Sequence, residues 1–129
     1  MKVLTIKQPF ASLIANNQKF IETRSWKTGY RGEMYIHAGL KKINLKDDKI
    51  KKLLSFISNT NIEYGMIICK VNLVDCVYMD EKFINKIKQN SREYLCGEYK
   101  IGRYGWIFEN VEILKEPIAC KGKLSIWNY

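Results

Sequence analysis

The spacing of apolar and polar positions divides the chain into short, sharply punctuated elements. "VLTIK" (3–7) is β-branched and alternating, which predicts a strand. In "QPFASLIANN" (8–17), Phe10, Leu13 and Ile14 recur at helical spacing. Pro9 suits the first turn of that helix, and Asn16–Asn17 ends it. "KFIETRSW" (19–26) returns to strand-favouring residues, although it carries Lys19, Glu22 and Arg24. Side chains alternate across a strand, so Glu22, Arg24 and Trp26 share one face and Ile21, Thr23 and Ser25 the other. With Ile21 on the core side, the charged pair faces a groove or solvent. "KTGYRG" is a turn or loop, and "EMYIHAG" (33–39) is the next strand.

Further along, "INLKDDKIKKLLSFISN" (43–59) reads as a helix with Ile50, Leu53, Leu54 and Ile57 on its apolar face. Asn44 can cap it, and Asp47 and Asp48 lie in the first turn, where the helix dipole favours anions. "GMIICKVNLVDCVYM" (65–79) is a long, nearly continuous apolar run and predicts a central strand. Asp80 caps a helix bearing Phe83, Ile84 and Ile87. From Gly97 a Gly/Tyr-rich loop leads into a strand near Tyr104, and "PIACKGKLSIW" (117–127) is read as a separate last strand.

The resulting order, β-α-β-β-α-β-α-β-β, is strand-rich with helices as excursions, so a doubly wound parallel sheet is not expected. We expect an α+β fold: a small mixed or antiparallel β-barrel with flanking helices. All 129 residues fit one domain, 1–129.

Charge adds a direction to this picture. The net charge is +9, and residues 1–46 carry nine Lys/Arg against two acids, which leaves only +2 on the rest. Such a concentration favours an anionic partner, of which nucleic acid is the commonest. No apolar run is long enough to span a membrane, and Lys7 and Pro9 interrupt any signal-peptide core, so a cytoplasmic protein is expected. Cys69, Cys76, Cys96 and Cys120 follow no zinc spacing, and His37 is the only histidine. Reduced thiols, no metal site and no cofactor are therefore expected, with His37 a hydrogen-bonded structural residue.

The residues with chemistry cluster in one stretch. Lys19 offers a point charge, or a base if burial lowers its pKa. Glu22 can accept from a base amine or shuttle a proton, and Arg24 presents a planar fork. Trp26, Tyr30 and Trp106 are candidate stacking platforms, with Arg31 beside them on the rim.

These residues carry a family resemblance. "LTIKQPFASLIANNQKFIETRSWKTGYRGEMYIHAG" (4–39) closely resembles the start of ASCH domains, of the PUA-like superfamily, whose signature is GxKxxExR. Lys19, Glu22 and Arg24 match it, and Asn17 stands at the glycine position, where asparagine tolerates a left-handed backbone. "GEYKIGRYGWIFENVEILKEPIACKGKLSIW" (97–127) resembles the family's closing strands. The resemblance implies a small β-barrel with a cleft beside the signature, binding RNA or a (modified) nucleotide or nucleoside. It also implies two catalytic alternatives: an amidohydrolase that deacetylates N4-acetylcytidine, or a metal-assisted ribonuclease. A protein-interaction module is the remaining alternative. The amidohydrolase branch has a Lys–Thr–Glu triad. Lys19 matches its lysine, Glu22 stands in the threonine position beside Thr23, and Glu93, Glu98 and Glu109 are candidates for its glutamate.

Overall fold

The computed structural model describes residues 1–129. Its centre is one curled, mixed six-stranded sheet in the order β2-β5-β4-β3-β1-β6. The strands are β1 (Lys2–Ile6), β2 (Ile21–Arg24), β3 (Gly32–Ala38), β4 (Met66–Tyr78), β5 (Tyr104–Ala119) and β6 (Ile126–Asn128). Only the β1–β3 pair is parallel; its crossover contains α1 (Phe10–Ala15) and β2. The other pairs are antiparallel, and β4 with β5 forms the long central ribbon. The expected small α+β barrel-like fold is thus what the chain adopts, as a half-barrel with short helices against it. None of the helices is long and apolar enough to cross a membrane.

Helix α1 lies between two apolar layers. Ala11, Ile14 and Ala15 pack into the main core with Leu4, Ile36, Val71, Trp106 and Phe108. Leu13 turns the other way, onto Leu53 and Ile57. Those two come from α2 (Asp48–Leu54) and the 3-10 turn that continues it, so the expected apolar stripe of this helix is real. Its cap differs from expectation. Asp47, not Asn44, accepts from the N–H groups of Lys49 and Ile50 (2.9 and 3.3 Å). Asn44 spends its Oδ1 on Lys46 N in a local turn, leaving the nearer acid to start the helix. Asp80 caps α3 (Glu81–Lys88) as expected, through Phe83 N at 2.8 Å.

Two further features depart from the sequence reading. A short helix, α4 (Ser91–Leu95), precedes the Gly/Tyr loop; Asn90 caps it through Glu93 N. The last strand does not begin at Pro117. Strand β5 runs through that proline to Ala119, and β6 is only three residues long. Proline is tolerated there because β2 covers β5 only from Tyr104 to Ile107. Beyond that point β5 has a free edge, where a missing N–H breaks no ladder.

The two ends of the described chain meet. Strand β6 pairs antiparallel with β1, and Met1 and Tyr129 exchange hydrogen bonds of 3.3 and 3.0 Å. His37 sits behind this pairing, buried and satisfied at both ring nitrogens. Its Nε2–H donates to Cys120 O (2.8 Å), and Nδ1 accepts from the Thr5 hydroxyl (3.2 Å), which itself accepts from Trp127 Nε1 (3.0 Å).

Candidate functional site

A cleft of about 1050 Å³ opens where β2, the end of β1, the residues after β3 and the α4–β5 loop converge. Its position follows from the turn before β2. Asn17 adopts φ 60°, the left-handed conformation that asparagine bears more readily than most residues, and this redirects the chain from α1 into the signature strand. Opposite, Gly97 lets the α4–β5 loop press onto β2. A Cβ there would lie 2.7 Å from Thr23 Cγ2 and 2.8 Å from Tyr99 Cε2.

The three signature residues have separate roles. Arg24 and Glu22 line the cleft as an ion pair, Nη2 to Oε2 at 3.1 Å. Arg24 Nη2 also donates to Thr5 O (3.0 Å), tying β2 to β1 across the cleft floor. Lys19 does not line the cleft. Its side chain is 0% exposed, and Nζ donates to Ile21 O and Cys96 O (2.5 and 2.8 Å). The Glu22 carboxylate lies 3.6 Å away, and the Phe10 ring 5.7 Å. The expectation of a contact lysine is corrected to a lysine sealed beneath the floor, because its four-carbon stem points into the gap between α1 and α4.

Behind this floor stands Glu93. Its Oε1 accepts from Phe20 N at 2.7 Å, while Oε2 is buried without a partner. Burial raises the pKa of this carboxyl, against the opposing pull of Lys19. The Tyr99 phenol is likewise buried and unpartnered; desolvation pushes it up, reinforced by Glu93. Of the three glutamates raised by the sequence, Glu93 alone belongs to the Lys19 cluster. Glu98 is on the cleft rim, and Glu109 is exposed on β5, paired in register with Asn72. A raised native pKa favours the protonated form, so Glu93 stabilises the fold below the unfolded glutamate value. That contribution is lost as pH rises through the raised value. Glu93→Gln should therefore flatten the fall in melting temperature over this rise; an unchanged pH profile would contradict the assignment.

The aromatic candidates separate too. Trp26 is half-buried and lines the cleft. Trp106 is 0% exposed and supports Trp26 from below: the rings meet edge-on at 4.7 Å, and Trp106 Nε1 donates to Trp26 O (3.3 Å). The expectation that Trp106 is a stacking surface is corrected, since its partner across the ladder is Glu22 and its ring points into the core. Tyr30 and Arg31 also lie off the cleft. The Tyr30 hydroxyl donates to Glu33 O, and Arg31 faces Asp75 at 3.8 Å.

Several cleft residues escaped the sequence reading. Phe10 and Tyr94 add aromatic surface, and Lys7, Lys41, Lys49, Lys100 and Arg103 form a basic rim. The excess of charge in residues 1–46 foreshadowed only Lys7 and Lys41. Lys49 looks like the solvated side of a helix. Lys100 and Arg103 belong to residues 47–129, where acids nearly balance the bases.

An ASCH domain model matches residues 4–118. Activating signal cointegrator 1 of Homo sapiens is 25% identical over 131 residues, covering 96% of this chain and 21% of the relative. Its Mus musculus counterpart is 24% identical, with the same coverage. The chain thus spans about a fifth of the length of the curated relatives it matches. With the family model spanning most of the chain, and the signature residues Glu22 and Arg24 flooring its cleft, the chain belongs to the ASCH domain family.

Proposed function

We propose that this domain binds single-stranded RNA, with a base entering the cleft and phosphates resting on the rim. One observation carries the reading: the cleft segregates charge by depth. On the floor, Lys19 and Arg24 both lie against Glu22, at 3.6 and 3.1 Å, and Arg24 Nη2 is already engaged by Glu22 and Thr5 O. A phosphate placed there would meet Glu22. On the rim, Lys7, Lys41, Lys49, Lys100 and Arg103 face only Glu98. A ligand that fits both depths has a neutral head with donors and acceptors and an anionic tail. A nucleotide has that form, and Trp26 offers its base a π-face.

The test is titration of a labelled oligouridylate at several salt concentrations. Affinity should fall steeply with salt, by about 0.7 log units per log salt for each phosphate neutralised. Trp26→Ala should weaken binding by about 1–3 kcal/mol while leaving that slope in place. Salt-independent binding, or none at low salt, would sink the proposal.

A second reading, amidohydrolysis of an acylated base such as N4-acetylcytidine, draws support from Glu93, which supplies a third member beside Lys19 and Glu22. Against it, Lys19 is 0% exposed, and its Nζ is taken up by two carbonyls with the Glu22 carboxylate 3.6 Å away, so no substrate carbonyl reaches it from the cleft. Chromatography of N4-acetylcytidine after prolonged incubation with the protein separates the readings: released cytidine would favour the enzyme.

A further inference from the structure

Two of the rim cations are already engaged. Glu98 Oε1 lies 3.2 Å from Lys100 Nζ, and Oε2 lies 3.5 Å from Arg103 Nη1. The backbone holds the acid in this position. Glu98 N donates to Thr23 Oγ1 (3.0 Å), Arg103 Nε donates to Glu98 O (3.0 Å), and Arg103 Nη2 donates to Thr23 O (3.2 Å). Residues 97–103 are therefore fastened to the signature strand, and the close approach at Gly97 completes the joint.

We propose that Glu98 is a resident substitute for an RNA phosphate, occupying Lys100 and Arg103 in the free protein and displaced when a strand binds. The inference rests on the RNA reading of the cleft. Its chemistry is that of a weak lock. The Glu98 and Lys100 side chains are both more than half exposed, so the pair is screened by water and salt and is easily exchanged. A phosphate on a polyanion brings charge from its neighbours as well as its own, and can out-compete one tethered carboxylate. A lone carboxylate ligand or a singly charged metabolite cannot. The hydrogen bond from Lys100, then the charge of Arg103, holds the Glu98 carboxyl below its usual range, so the substitute stays ionised at neutral pH. Glu98 thereby sets a threshold, favouring polyanionic ligands over small anions.

The experiment compares wild type, Glu98→Gln and Glu116→Gln, titrated with the same labelled oligouridylate over a range of salt. Glu116 is an exposed acid on β5 outside the cleft, and it controls for net charge. Glu98→Gln should bind about three- to tenfold tighter than wild type, and Glu116→Gln no more than about twofold tighter. The gain should shrink in a Lys100→Ala background, where only Arg103 is left for Glu98 to mask. Thermal melts of each variant confine the comparison to folded protein. A Glu98→Gln gain equal to that of Glu116→Gln overturns the proposal, as does a gain that persists undiminished without Lys100. If no protein binds the oligonucleotide at low salt, the RNA reading itself falls, and this inference falls with it.

Discussion

Replacing Lys19 with methionine is expected to destabilise the fold by about 3–5 kcal/mol, the usual cost of breaking one side of a buried charge pair. Methionine fills similar volume, so the loss is not a cavity effect. Two carbonyls, Ile21 O and Cys96 O, lose their donor, and Glu22 and Glu93 lose the cation between them. Orphaned buried acceptors bear the full cost of desolvation. In urea the transition midpoint should fall while its steepness is retained, and melting should drop by roughly 10–20 °C. A variant within about 1 kcal/mol of wild type would show that Lys19 is not structural. The signature lysine would then be free for chemistry.

The second large effect concerns Trp106. Truncation to alanine should cost about 3–5 kcal/mol, as for other buried large aromatics. Trp106 is fully enclosed among the main-core residues and holds Trp26 both by ring contact and through Trp26 O. Trp106→Phe keeps an aromatic disc but removes the indole donor. It should leave a folded protein whose Trp26 is less fixed, and the proposed RNA affinity should fall although Trp106 does not line the cleft. Chemical denaturation reads the first effect and titration of the oligouridylate the second. Loss of binding in Trp106→Phe without any loss of stability would instead place the ring in the site.

Much of this architecture could be read from the pattern of residues. Apart from the added α4, the element order held because each strand or helix is bounded by strong punctuation, such as Pro9, Asn17, Asp80 and Gly97. The alternation in β2 correctly put Glu22 and Arg24 toward a groove. It failed at Lys19, which lies just before the strand, where period-two reasoning no longer applies. It failed at Pro117 because whether proline is allowed depends on the neighbouring strand's length, which sequence does not show. It assigned Trp26 and Trp106 alike, because composition cannot tell an aromatic wall from its support. The rim was hardest. Lys7, Lys41, Lys49 and Lys100 come from four separate segments, and only the curl of the sheet gathers them.

The meeting of residues 1 and 129 has a mechanical consequence. Because β1 and β6 run antiparallel and their outer ends coincide, tension applied at the two ends would unzip their ladder one bond at a time rather than shear it all at once. The first side-chain bonds to yield would be those of Trp127 to Thr5 and of His37 to Cys120. Thr5 also supplies the carbonyl that steadies Arg24, so stretching the domain would loosen the cleft floor before the central β4–β5 ribbon felt the load. Set within a longer polypeptide, such a domain enters and leaves at one point and adds almost nothing to the span between its neighbours, while its cleft lies one residue contact from the seam.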